Sequence, residues 1–193
     1  MGTNIKLVEN PVRPLSVHPL KFALWLFIVS IIMIFASLTS AFIVKQGEGN
    51  WLEYNLPSMF WITSVLIIVS SMLLQWGYFA AKQNQYKKLT LMLAGTTLLG
   101  LAFLAGQWLS WGQLVAMDVY FVGNASGSFV YVLTGLHAFH LISGIVFLII
   151  MLIASFKNKI HSGNLVKMEM CVTYWHFLGA LWLYLFVFLI FYH

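Results

Sequence analysis

Charged side chains are scarce in this 193-residue chain: Asp, Glu, Lys and Arg make up 8% of it, against 61% hydrophobic residues and a mean hydropathy of +0.90. A water-soluble globule carries charge on about a quarter of its residues, so this composition excludes one and points to a polytopic membrane protein. Cysteine is almost absent as well. The single Cys171 sits in an apolar run, which excludes an internal disulfide, makes a small core residue its expected role and leaves the redox compartment open. There is no acidic or basic tail, and the pI near 9.4 comes from loop lysines, so nucleic acid is not an expected partner. The first twenty residues hold Lys6, Arg13 and three prolines but lack the apolar stretch of a cleavable signal, leaving the first spanning helix to direct insertion.

Long apolar runs, in contrast, are plentiful. Roughly 20 apolar residues are needed to cross about 30 Å of hydrocarbon, and five segments qualify: about 22–44, 57–81, 90–114, 128–156 and 170–192. The cluster GNASGS at 123–128 reads as the loop into the fourth of them. The expected fold class is therefore all-α, one domain over residues 1–193 with five transmembrane helices and no internal repeat. Five spans put nine of the ten Lys and Arg residues on the N-terminal side (Lys6, Arg13, Lys21, Lys82, Lys87, Lys88, Lys157, Lys159 and Lys167), with Lys45, Glu48, Glu53 and Asp118 opposite. Positive charge stays inside, which predicts a cytoplasmic N-terminus and a periplasmic C-terminus.

Polar and small residues recur at helical spacing within the spans and mark the faces expected to pack on protein instead of lipid. They are Ser30 and Ser37 in the first; Ser64, Ser71 and Gln75 in the second; Thr96, Gly100, Gln107 and Ser110 in the third; Thr134, His137, His140 and Gly144 in the fourth; and Glu169, Thr173, His176 and Gly179 in the fifth.

His137 and His140 stand three positions apart in GLHAFHLISG, and a histidine in hydrocarbon needs a partner. Three roles are open. As metal ligands, neighbours at i and i+3 share a face and cannot sandwich a haem, and only His176 is left to converge with them. As proton carriers they would need a chain of ionisable groups, and the spans offer none beyond histidine except Glu169 at a helix start, where the helix dipole favours a capping acid. As structural groups they would anchor a polar seam between the fourth and fifth helices. A transporter is poorly supported, because no half-helix pair or inverted repeat marks a midplane site.

Four motifs taken in order carry a family resemblance: LWLFIVSIIMIFASLTSAF (24–42), LLGLAFLAGQWLSW (98–111), GSFVYVLTGLHAFHLISGIVFL (127–148) and EMCVTYWHFLGALWLYLFVFLIFY (169–192). The chain resembles subunit III of the haem–copper respiratory oxidases in its five-helix bacterial form. The resemblance implies an accessory subunit of the cell inner membrane. It would have no catalytic residue and no cofactor or metal of its own, and would bind phospholipid and protect the catalytic subunit during turnover. Haem and copper would sit in partner subunits, the catalytic subunit I and a subunit II, through which alone it would meet cytochrome c or quinol. The matching residues Trp25, Gln107, His137, His140, Glu169, Trp175, His176 and Trp182 would then contact lipid or a neighbouring helix.

The chain departs from that family where Ile31, Ser110 and Gly179 stand in place of commonly acidic residues, which removes the groups on which a proton-antenna role would rest. A quinol oxidase subunit and a nitric oxide reductase accessory subunit remain alternatives, because the electron donor is chosen in partner subunits. A small membrane transporter is the more distant one.

Overall fold

A computed structural model describes residues 18–49, 51–52, 54–157 and 165–192. It contains five long helices: α1 (Pro19–Gly47), α2 (Met59–Lys82), α3 (Tyr86–Ala116), α4 (Ala125–Phe156) and α5 (Val166–Tyr192). All five are long and apolar enough to cross a membrane, and the chain is an all-helical polytopic membrane protein. Each helix extends past the apolar run that announces it, because polar residues at a membrane surface still satisfy their backbone best within a helix. α3 and α5 each begin four residues before the expected start, at Tyr86 and Val166, and α4 begins at Ala125 rather than near 128. Asn124 accepts a hydrogen bond from the Ser126 N–H and caps the first turn, so most of the expected loop is helix.

Successive helices run antiparallel, as contacts between their ends show. Thr90 near the start of α3 bonds Ser155 near the end of α4, and the Trp111 indole donates to Thr134 at the opposite ends. Lys21, Lys82, Lys87, Lys88, Lys157 and Lys167 therefore share one end of the bundle, while Lys45, paired with Glu48, and Asp118 share the other. Lys6, Arg13, Lys159 and Glu53 lie outside the described residues.

α5 is the hub. α1, α4, α3 and α2 follow one another around it, with α1 in contact with α4 and α5, and α2 with α3 and α5. Cys171 is buried on α5, the small core residue expected of it.

The stripe assigned to α1 is a correction. Ser30 and Ser37 are exposed, each hydroxyl donating to its own helix at Phe27 and Ile34, and the packed face is Ile28, Ile31, Phe35, Thr39 and Phe42, apolar except for Thr39. A serine that bonds the carbonyl one turn back is self-sufficient in lipid, so spacing alone does not show which way it points. The stripes of α3 and α4 are buried as expected: Thr96, Gly100, Gln107 and Ser110, then Thr134, His137, His140 and Gly144.

Candidate functional site

The interior is held by indoles bonded to hydroxyls. Trp175 and Trp182, two turns apart on α5, are fully buried. The Trp175 indole donates to Ser70 Oγ at 3.1 Å and the Trp182 indole to Ser64 Oγ at 3.0 Å, tying α5 to α2 twice. Two glycines make room for the first ring. A Cβ on Gly100 would meet the Trp175 ring at 2.7 Å, and one on Gly144 would meet it at 3.3 Å. Trp182 packs edge-on to Phe60 and Phe103, with centroids 5.5 and 5.0 Å away. Gln107 donates to Thr63 Oγ1 at 3.3 Å across the α2–α3 contact, while its carbonyl oxygen is buried without a partner among the described residues.

The three histidines do not share a seam. His137 is fully buried between Phe103 and Trp182, with centroids 6.0 and 5.3 Å away, and neither ring nitrogen has a partner among the described residues. His140 turns toward α1, donating from Nδ1 to the Leu136 carbonyl of its own helix at 2.8 Å and meeting the Phe35 ring at 5.9 Å. His176 faces α2, where its Nε2 lies 3.1 Å from Gln75 Oε1. Of the three, expected to bond a neighbouring helix or lipid, His176 alone makes an interhelical side-chain hydrogen bond among the described residues, and it makes it to α2 rather than α4. The physical reason is the 100° step of a helix. His137 and His140 diverge by most of a right angle, enough to enter different interhelical contacts.

Glu169, in the first turn of α5, is an interhelical knot. It accepts from Lys21 of α1 and, at 3.0 Å, from the Tyr78 hydroxyl of α2, while Lys82 lies over the Tyr78 ring at 4.7 Å. The helix dipole favours an acid there, but the carboxylate holds neighbouring helices instead of capping its own. Trp25 is 57% exposed on the outer face of α1, flanking the small pocket that Lys21, Glu169 and Thr173 line at the same end. Among the described residues no three His, Cys, Asp or Glu side chains gather closely enough to hold a metal ion.

At the three departures, Ile31 is buried in the apolar face of α1 and Ser110 is buried with its hydroxyl on the Gly106 carbonyl. Gly179 lies against Ser71.

A sequence model of the family described as cytochrome c oxidase subunit III matches residues 53–193. The chain belongs to that family. It is 32% identical over 167 residues to a probable cytochrome c oxidase subunit 3 of Nocardia farcinica, an alignment covering 83% of this chain and 82% of that one. The subunit 3 of Corynebacterium diphtheriae is 29% identical with 83% and 82% covered. That of Alkalihalophilus pseudofirmus is 28% identical with 96% and 93% covered. Membership makes the chain an accessory subunit of an oxidase complex, and the last three of the four motifs lie within the matched residues.

Sequence reasoning missed Ser70, Tyr78 and Thr63. Ser70 adjoins the chosen Ser71 and no periodicity separates them. A partner such as Trp175 for Ser70 is visible only once α2 and α5 are side by side.

Proposed function

We propose that this chain is a cofactor-free accessory subunit of a bacterial cytochrome c oxidase in the cytoplasmic membrane, where it packs on the haem- and copper-bearing catalytic subunit I beside subunit II. Electrons from cytochrome c reach dioxygen, with coupled proton pumping, entirely within those partners. The chain stabilises the catalytic subunit during turnover and holds phospholipid against it, with its N-terminus cytoplasmic and its C-terminus periplasmic.

One observation carries the reading: the three imidazoles within the spans point to different neighbours, α3 and α5 for His137, α1 for His140 and α2 for His176. Imidazoles aimed apart cannot converge on one metal or on the two faces of a haem. Trp175, Trp182, Gln107 and Glu169 join helices to one another, which is the construction of a rigid bundle that packs on something else. The names of the similar chains favour cytochrome c as the donor to the complex.

Oxygen uptake followed over time, with and without the chain, tests this. Oxidase lacking it should keep its haem spectrum and most of its initial rate, lose activity faster with turnover and retain fewer phospholipids. Immediate and complete loss with haems intact would assign it a direct part in catalysis. Cysteines placed at Lys87 and Glu48 should label from opposite sides, the first cytoplasmic.

A further inference from the structure

The helices around α5 leave one arc of it bare. α1 and α2 both pack on α5 but do not touch each other. Between them α5 presents Ala180, Tyr184, Val187 and Phe191, all exposed. On the α2 side of this strip lies a groove of about 550 Å³, lined by Ile68, Met72 and Gln75 of α2 and His176, Ala180 and Leu183 of α5. Glu169 bridges the two walls at one end through Lys21 and Tyr78, and at the other Gln46 of α1 donates to the Tyr192 carbonyl of α5.

We propose that this slot seats one transmembrane helix from a partner polypeptide of the oxidase. That helix presents small residues to Gly179 and Ala180 and a hydroxyl or amide side chain to His176. The proposal rests on the accessory-subunit reading and names where the subunit is gripped.

The chemistry of the groove selects the occupant. Gln75 Oε1 can only accept, so His176 Nε2 carries the proton and donates to it at 3.1 Å. That leaves His176 Nδ1 as an acceptor and the Gln75 amide as a double donor, neither with a partner among the described residues. The depth is decisive. α5 has 27 residues, a length of about 40 Å that matches a bilayer with its headgroups. His176 lies about 15 Å along it from Val166, inside the hydrocarbon. A phospholipid headgroup stays in the outer layer, and the acyl chain that does reach this depth cannot hydrogen-bond. A helix supplies both needs, apolar surface for the walls and one polar side chain at the required level. It also accounts for the bare strip beyond the groove, because α5 from His176 to Phe191 spans about 22 Å, most of a membrane-crossing helix.

The test uses the intact complex purified through a tagged chain carrying a benzoylphenylalanine photo-crosslinker at Ala180. Irradiation should join it to a second polypeptide, whereas the same chain isolated from its partners should give only lipid adducts. Ala180→Trp fills the slot from an exposed position. It should cut recovery of the partner about tenfold while leaving the helical circular dichroism of the chain unchanged. His176→Leu, losing one interhelical bond, should cut it about threefold. Adducts only with phospholipid or quinone in the complex, or full partner recovery with Ala180→Trp, would overturn the slot. If haem-bearing polypeptides still travel with the chain in those cases, the accessory role stands and only the docking face is wrong; if none travel with the unsubstituted chain, both fall.

Discussion

α1 and α5 invert the rule that the most apolar segment is the most buried. α1 is the more hydropathic of the two, yet 28% of its most apolar 18 residues are buried, against 56% for α5. In water that order would be a contradiction. In lipid it is expected, because an acyl chain is as apolar as leucine and burial follows fit and hydrogen bonding instead. α5 carries Trp175, whose ring fills space that Gly100 and Gly144 vacate, and Trp182, packed edge-on to Phe60 and Phe103; both N–H groups find serines on α2. α1 carries isoleucine and valine that lipid solvates equally well, and it holds to the bundle through a narrower face and the Lys21–Glu169 pair.

The contrast breaks most visibly at the indoles. Trp175→Ala should lower the stability of the purified chain by about 3–5 kcal/mol, since the ring is fully enclosed and the bundle can collapse only in part around the void. Gly100→Leu attacks the same packing from α3 and should cost about 1–3 kcal/mol by driving a side chain into the ring. On α1, Met33→Ala removes a side chain that is 68% exposed and should change stability by no more than about 0.5 kcal/mol. Denaturation in mixed micelles with rising dodecyl sulfate measures all three. A comparable loss at Met33 would mean that the outer face of α1 is packed in the isolated chain.

A finer comparison sets serine against serine. Ser70→Ala strands the Trp175 N–H in a buried site and should cost about 1 kcal/mol in the same titration. Ser37→Ala loses only a bond to the Ile34 carbonyl of its own helix, at an exposed position, and should be neutral. Equal effects would show that α2 and α5 are held by ring packing alone.

Why neither serine's role was legible in the sequence follows from that pair. Helix number, the location of each span and the sorting of lysines to one end all depend on the long-range difference between water and lipid, which a count of apolar residues captures. The buried stripes of α3 and α4 were legible because Gln107, His137 and Gly144 have few reasons to face acyl chains. Ser30 and Ser37 misled because a hydroxyl can serve its own backbone, and Ser70 was hidden because its value depends on an indole 105 positions away. The histidines show the same limit. Their i, i+3 spacing placed them on one side of α4, but which neighbour each ring meets is set by the neighbours' crossing positions, which no local pattern encodes.

His137 gives the smallest expected effect and a test of sign. Its ring is closed off by Phe103 and Trp182 and both nitrogens lack partners among the described residues, so its polarity is a burden the rings around it do nothing to relieve. A phenyl ring keeps the shape and removes the unmet donor and acceptor. His137→Phe should therefore be neutral or stabilise the chain by up to about 1 kcal/mol, whereas His176→Leu, which breaks the bond to Gln75, should destabilise it. The contrary result would be informative in itself. Gln107 also buries an unpartnered oxygen, on the α3 turn after Phe103, and the contrary result would point to an internal water, with about three bonds, held between the two groups. In that case His137→Phe costs stability, and combining it with Gln107→Leu costs less than the two separately, because the second substitution removes a site the first has already emptied. Additive effects together with a neutral His137→Phe would leave the imidazole as an aromatic filler whose nitrogens do no work.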